Sequence, residues 1–563
     1  MRKRIGFLIL ITNLVFILNI GVSNACTNFL ISKGATADGS TMITYAADSH
    51  VLYGELYYQP AADHPAGAMR DIYEWDTGKF LGQIDEVPHT YSVVGNMNEF
   101  QVAIGETTYG GRSELASQPG AIMDYGSLMY IALQRAKSAR EAIKVMTGLV
   151  EQYGYYSLGE SFSIADPNEV WILELIGKGE GEKGAVWVAL RVPDGYISGH
   201  ANQARITTFD LNDPKNCIYS KDVISFAREK GWYDGRNKDF SFSDVYAPVD
   251  FGGARFCDAR VWAGFNKVTK GMSRYAKYAE GVVEHGGEDN FPSNRLPLWV
   301  KPDKKLSVKD VIGLMRGHFE GTPLDMSKDI GAGPFKLPYR WRGLTWKVDS
   351  VEYCNERAVS TQQTGFSFVA QCRNWLPAPI GGILWFGVDD TYSTCYAPMY
   401  CGITKIPECF AVGNGDMLTY SETSAFWTFN LVSNLSYLRY NSMIVDVQKV
   451  QAGLENKFIG FTQVIDQAAK TLYNEESPQK ARQFLTEYSV NTANNMTKRW
   501  KLLGQYLLVK YMDGNIKREK DGKFERTEYG MAPEPEQPGY PEWWYKAIVK
   551  STGSHFKVKG NAH

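Results

Sequence analysis

The 563-residue sequence predicts a layered α+β protein, and three observations carry that prediction. Period-two runs pair into hairpins through the first two hundred residues, a helix-period segment interrupts them, and the last third is poor in glycine with helical spacing. With 44% hydrophobic and 22% charged residues the chain can bury a substantial core, in more than one structural unit.

The chain opens with a basic start (Arg2, Lys3, Arg4), an apolar run from Ile5 to about Val22, and small residues at Ser23 and Ala25. This is the pattern that a signal peptidase removes, so residues 1–25 read as an export signal and Cys26 as the first residue of the mature chain. Residues 27–33 alternate polar and apolar, Ala35-Thr36-Ala37-Asp38-Gly39 supplies turn chemistry, and residues 40–46 resume a strand. A four-residue loop centred on Ala37 and Asp38 sets Cys26 across from a residue near Ser49, within two positions of Asp48.

Strands follow at 90–95 and 101–107, joined by Asn96-Met97-Asn98-Glu99. Between 124 and 150 the positions Leu128, Ile131, Ala132, Ala136, Ala142, Ile143 and Met146 recur at helical spacing, with Ser138 as N-cap of a second helix. Strands at 161–165 and 170–175 flank the turn Asp166-Pro167-Asn168-Glu169, and two more fall at 185–191 and 196–201. From Ser421 the pattern turns helical: Phe458, Phe461, Val464, Ile465, Ala468 and Leu472 mark an amphipathic face, and another helix runs from Pro478 to about Met512. These helices are expected to pack on the body or on a second copy of the chain, a homo-oligomer. The Pro-rich residues 532–538 form an extended connector, after which Trp543-Trp544-Tyr545 is expected to dock back. The expected division is therefore a signal (1–25), a catalytic domain (26–420), a helical region (421–530) and a tail (531–563).

Loss of Arg2, Lys3 and Arg4 leaves 57 basic against 62 acidic residues, a formal charge of −5, which together with the lack of a basic stripe argues against a nucleic-acid partner. Past residue 25 no apolar stretch is long enough to span a bilayer. The export signal implies a periplasmic or secreted product. Eight histidines are scattered without zinc-ligand spacing, so neither a metal nor another cofactor is expected. The glycine-rich segment 177–184 lacks a phosphate-loop pattern, and a Gly-x-Ser-x-Gly elbow is absent. Seven cysteines besides Cys26 leave at least one unpaired if Cys26 is catalytic.

An N-terminal cysteine combines a thiol of pKa about 8.5 with an α-amine of pKa about 8. The neutral amine can take the thiol proton and later return a proton to a leaving amine, with no histidine required. Two other readings of Cys26 stand beside this one, a lipid-acylated cysteine and a disulfide half. Either would leave a non-catalytic binding protein.

The residues also carry a resemblance. Cys26-Thr27-Asn28-Phe29-Leu30-Ile31, Asp38-Gly39-Ser40 and Asp48-Ser49 are followed by Asn98-Glu99, Gly105-Glu106-Thr107, Asp166-Pro167-Asn168-Glu169-Val170-Trp171 and His200-Ala201-Asn202-Gln203-Ala204-Arg205-Ile206. Further on come Glu320-Gly321-Thr322-Pro323, Ala332-Gly333-Pro334-Phe335, Ser367-Phe368-Val369-Ala370-Gln371 and Gly381-Gly382-Ile383-Leu384-Trp385-Phe386-Gly387-Val388-Asp389-Asp390. This joint pattern resembles the cysteine-type dipeptidases related to dipeptidase A and the secernins, among the N-terminal-nucleophile hydrolases. The resemblance implies an αββα sandwich and hydrolysis of short peptides, with Cys26 as nucleophile, Asp48 as the acidic residue near the amine and Asn202 as an oxyanion donor or an anchor of the α-amine. It also implies Arg205 as a clamp for a substrate carboxylate and Thr107 as a second candidate at the oxyanion. Relatives tend to carry an arginine shortly before the aspartate that matches Asp48, where this chain has Tyr45-Ala46-Ala47. Arg205, Arg255, Arg260 and Arg357 are the candidates to replace it. The leading function is thus a cysteine-type dipeptidase, and the alternative is an N-terminal-cysteine amidase acting on other linear amides.

Overall fold

Two antiparallel sheets packed face to face form the centre of the computed structural model, which describes residues 26–287, 290–341 and 343–560. The expected export signal, residues 1–25, lies outside the described residues. The strands of these sheets begin with β1 (Asn28–Ile31), β2 (Thr41–Asp48), β3 (Tyr58–Gln59), β4 (Val93–Val94) and β5 (Met97–Asn98). Next come β6 (Ala103–Tyr109), β7 (Gly159–Ala165), β8 (Val170–Gly177), β9 (Ala185–Arg191) and β10 (Ile197–His200). The set closes with β11 (Cys217–Tyr219), β12 (Trp299–Val300), β13 (Thr364–Cys372), β14 (Ile383–Val388) and β15 (Ala397–Tyr400). One sheet has the order β12-β10-β1-β2-β13-β14-β15, and the other runs β11-β9-β8-β7-β6-β5-β4-β3.

Helices cover both outer faces. The segment read as helical between 124 and 150 forms α1 (Tyr125–Arg135) and α2 (Ala139–Tyr153), capped by Asp124 and Ser138, whose side chains accept from the N–H groups of Ser127 and Glu141. Leu128, Ile131, Ala142, Ile143 and Met146 bury against Ile104, Phe162 and Leu173 of the eight-stranded sheet. The seven-stranded sheet is backed by α3 (Ala259–Val268) and α4 (Val308–Met315). Strand alternation decides what each face meets. Phe29 of β1 points outward to Gly264 of α3, while Asn28 points inward to Ser163 of the opposite sheet.

The first hairpin differs from its expected register by two residues. Leu30 pairs with Ile43 and Thr27 with Ala46, which sets Cys26 opposite Ala47 rather than near Ser49. A 3-10 turn at Lys33–Ala35 takes up chain that the sequence pattern assigns to the loop. Asp48 follows at a β-bulge, since Ala47 pairs with Phe366 and Asp48 with Thr364.

The last third forms α5 (Ala425–Tyr437), α6 (Tyr440–Glu475) and α7 (Pro478–Tyr511), and α7 packs against β15. The face expected for α6 is partly wrong: Phe461 and Val464 are 48% and 62% exposed. Its buried stripe runs instead through Val447, Gln451, Glu455, Phe458, Asp466 and Ala469. Three of these are polar, which hides them from an apolar periodicity, and each has a partner on the body. Glu455 pairs with Arg316, Asp466 with Arg373, and Gln451 donates to the carbonyls of Tyr392 and Thr394. The tail docks at its connector, where Arg439 donates to the Gly539 carbonyl and Tyr540 packs on Phe335. The aromatic segment does not follow it into the body: α8 (Glu542–Thr552) has no buried residue, and Trp543 and Tyr545 stay exposed. Among the described residues no helix is long and apolar enough to cross a membrane, and no disulfide joins any of the eight cysteines.

Candidate active site

Cys26, the residue before β1, forms part of the wall of a cavity of about 380 Å³ whose lining includes Tyr45, Asp48, Asp76, Glu106 and Tyr125. Cys26 is 5% exposed. Its sulfur stands 3.6 Å from Glu106 Oε1 and 3.8 Å from the Tyr45 hydroxyl, which itself donates a short hydrogen bond to the same Glu106 oxygen. Burial pushes the thiol well above its ordinary pKa, and the negative charges of Glu106 and Asp48 push the same way. The main-chain N–H of Asp48 and the Tyr45 hydroxyl oppose them by hydrogen bonding to the sulfur.

Strand β5 pairs with β6 only through Met97 and Ala103, and past Ile104, whose N–H bonds the Asn96 carbonyl, that edge of β6 has no strand partner at Glu106. Asn28 fills part of the gap. With its amide oriented as its neighbours require, its nitrogen donates to the Glu106 carbonyl and its oxygen accepts from the Glu106 N–H, 3.2 and 3.1 Å away. The side chain two residues beyond Cys26 thus imitates a missing strand and sets the distance between thiol and carboxylate.

Glu160 of β7 lies on the same face of the sheet as Glu106, opposite Thr108, whose hydroxyl donates to it at 2.6 Å. Both glutamates are buried, and neither Oε2 has a donor among the described residues. Burial raises the pKa of both. The charge of Glu106 lifts Glu160 further.

The other end of Cys26 is held by Arg260 of α3. Its guanidinium donates to the Cys26 carbonyl at 2.6 Å, Thr27 Oγ1 at 2.8 Å, the Ala201 carbonyl at 3.0 Å and Asn202 Oδ1 at 2.8 Å, while Nε bonds the Phe256 carbonyl at 2.9 Å. All five donors are used, on neutral oxygens. Asn202 has a left-handed backbone (φ 64°) and gives one amide hydrogen to the Thr108 carbonyl at 2.6 Å. It lines a second cavity, of about 630 Å³, that shares Asp76, Thr108 and Tyr125 with the first.

Cys26 and Asp48 therefore meet in one cavity, with Asn202 joined to Cys26 through Arg260. Asp48 accepts from Thr364 Oγ1 at 2.6 Å. Two expected residues fall elsewhere. The Arg205 guanidinium is buried, bonding the Gly199 and Pro297 carbonyls and pairing with Asp258 at 3.3 Å, so it does not face the thiol cavity. Thr107 points between the sheets, where its hydroxyl meets His200 Nδ1 at 2.7 Å. That histidine is held neutral, its pKa lowered to about 3 by burial and by the charge of Arg205.

Sequence reasoning missed Tyr45, Glu106 and Glu160, and left Arg260 as one of four arginines. The signal for Glu106 was a carboxylate inside the otherwise uncharged run Ala103-Ile104-Gly105-Glu106-Thr107-Thr108-Tyr109, where strand alternation puts it on the face opposite Thr107. Tyr45 occupies the stretch in which relatives place an arginine, and its phenol stands at the sulfur.

A buried thiol beside a carboxylate-lined cavity, at the head of a strand between two packed sheets, defines a thiol hydrolase. The chain belongs to peptidase family C69, whose model matches residues 25–453, and it is a cysteine-type peptidase. It is similar to a probable dipeptidase of Salmonella dublin, 27% identical over 409 residues that make up 69% of this chain and 84% of the relative. It is also similar to a probable dipeptidase of Latilactobacillus sakei, 24% identical over 510 residues (82% of this chain, 95% of the relative). A probable dipeptidase B of Streptococcus pyogenes serotype M1 is 22% identical over 522 residues (88% and 95%).

Proposed function

We propose that this peptidase is an exported dipeptidase of the N-terminal-nucleophile type, in which removal of residues 1–25 frees the α-amine of Cys26 and the thiol then hydrolyses the peptide bond of dipeptides. The observation that carries the reading is the placement of Cys26: it precedes β1, faces the cavity, adjoins Asp48 and is fixed through its carbonyl by Arg260. Four layers, helices outside and two antiparallel sheets inside, support the αββα sandwich of that hydrolase class. The trimmed product is periplasmic or secreted.

The chemistry follows from that placement. An ammonium on Cys26 sets a positive charge next to a thiol that burial and two carboxylates push up, and so brings the thiol back toward neutrality. The neutral amine takes the thiol proton, sulfur bonds to the peptide carbonyl, and the carbonyl oxygen takes the negative charge. Asn202, whose amide has a second hydrogen, and main-chain N–H groups are the donors for that oxyanion. The C–N bond breaks as the ammonium protonates the leaving amine, and water hydrolyses the thioester.

The test joins amino-terminal sequencing of exported protein with a panel of dipeptides and acyl-amides. Mature enzyme is expected to begin at Cys26 and to prefer dipeptides, with Cys26→Ala lowering kcat/KM by at least about 10³-fold. A fully active enzyme that keeps residues upstream of Cys26 would refute the N-terminal-nucleophile reading, and a preference for acyl-amides would point to the amidase alternative.

A further inference from the structure

The cavity in front of Cys26 has a charge that peptide-bond hydrolysis does not by itself demand. Among its described lining residues Asp48, Glu55, Asp76 and Glu106 are carboxylates, and none is a lysine, arginine or histidine. Its remaining walls are largely aromatic. Trp75 stacks on Tyr130 with ring centroids 4.8 Å apart, and Tyr57 meets both edge-on. Carboxylates and π faces both attract a cation, and such a lining repels a carboxylate.

A second observation says where the cation would sit. Glu106 is 2% exposed and lines the cavity, yet its Oε2 has no donor among the described residues. A buried carboxylate oxygen without a donor is costly unless a ligand supplies one. Asp76, on the solvent side of the cavity, is held by the Tyr125 hydroxyl at 2.8 Å and keeps its other oxygen for a further donor.

The spacing then admits the α-amine of a peptide's first residue. Glu106 Oε1 is 3.6 Å from the Cys26 sulfur. In a peptide the α-nitrogen of the first residue is about 2.5 Å from that residue's own carbonyl carbon. A carbonyl placed about 3–3.5 Å from the sulfur for attack therefore keeps its α-ammonium within hydrogen-bond reach of Glu106.

We propose that this cavity binds the protonated α-amine of the substrate's first residue, with Glu106 and Asp76 as its carboxylate partners, so that a free amino terminus is what selects the substrate. The inference rests on the dipeptidase reading and adds the residues that recognise the substrate's amino end. The Cys26 sulfur bonds to the first residue's carbonyl carbon, the bond to the second residue breaks, and that residue leaves as an amine with a proton from the Cys26 ammonium. Water then cleaves the thioester, releasing the first residue and restoring the thiol.

The test compares dipeptides with their N-formyl derivatives in the mature enzyme. A site built around an amine rejects the blocked form strongly, so kcat/KM should fall by at least about 10²-fold on formylation. Asp76→Asn and Glu106→Gln should each shrink that ratio about tenfold or more, mainly by weakening the free-amine substrate, which a merely structural role would not do. Equal rates on free and formylated peptides, or a ratio unchanged in both variants, would overturn the proposal. A readout that needs no turnover separates this from failure of the dipeptidase reading: protection of Cys26 from iodoacetamide. Phenylalaninamide should protect at a concentration at least about tenfold below N-acetylphenylalaninamide. If the two protect equally, or neither protects, the ammonium site is wrong, whatever the enzyme hydrolyses.

Discussion

Arg260 holds the main-chain carbonyl of Cys26 at 2.6 Å although the two lie 234 positions apart along the chain, and it has no acidic partner among its five hydrogen-bond acceptors. A guanidinium that spends every donor on neutral oxygens defines positions rather than balancing a charge. It ties the residue that carries the thiol to Asn202 and to the strand end at Ala201.

Arg260→Lys tests that role. Lysine keeps the charge but has three donors on a narrower head, so at least two of the five buried acceptors lose their bond. Loss of roughly 2–4 kcal/mol in chemical denaturation is expected. The folded fraction should lose about tenfold or more in kcat/KM, because the thiol is no longer fixed relative to Asn202. Unchanged activity would show that Cys26 is positioned by β1 alone.

Tyr45→Phe removes the hydroxyl that donates to Glu106 Oε1 and hydrogen-bonds with the Cys26 thiol. The tyrosine hydroxyl lowers the pKa of both groups, so its loss raises both. The acid limb of the kcat/KM profile should then move to higher pH, with little change in the protein's far-UV circular dichroism. An unmoved limb would mean that neither group sets it.

Glu160→Gln should change how stability depends on pH. The folded-state pKa of Glu160 is raised well above 4.5, so its contribution is fully present below the unfolded value and is lost as pH rises through the folded one. The variant cannot ionise and should escape that loss. Relative to the parent it should gain stability at pH 8 compared with pH 4, read from urea midpoints at the two values.

Gly264→Ala addresses the packing behind the site. A Cβ at this position of α3 would meet the Phe29 ring at 2.2 Å, and α3 also carries Arg260. Pushing the helix from β1 should cost about 1–3 kcal/mol and lower activity together with stability. Fully preserved Tm and kcat/KM would show that the contact relaxes freely.

What the sequence determined by itself was local: the N-terminal hairpin with Cys26 and Asp48 near its open end, the capped helix pair, and the strands that alternate on either side of residues 124–150. Each depends on period, turn chemistry or capping among near neighbours, and those forces act within a few residues. The tertiary structure decided everything that depends on pairing across long separations. Whether Arg205 or Arg260 serves Cys26 turns on which helix packs behind β1, since both arginines are buried and differ only in what the fold sets against them. The open edge of β6 at Glu106 exists because β5 leaves after one pair. The polar stripe of α6 became a buried face because Arg316 and Arg373 of the body neutralise it. Charge and hydrogen bonding choose partners in space, and a linear pattern of apolar residues carries no record of that choice.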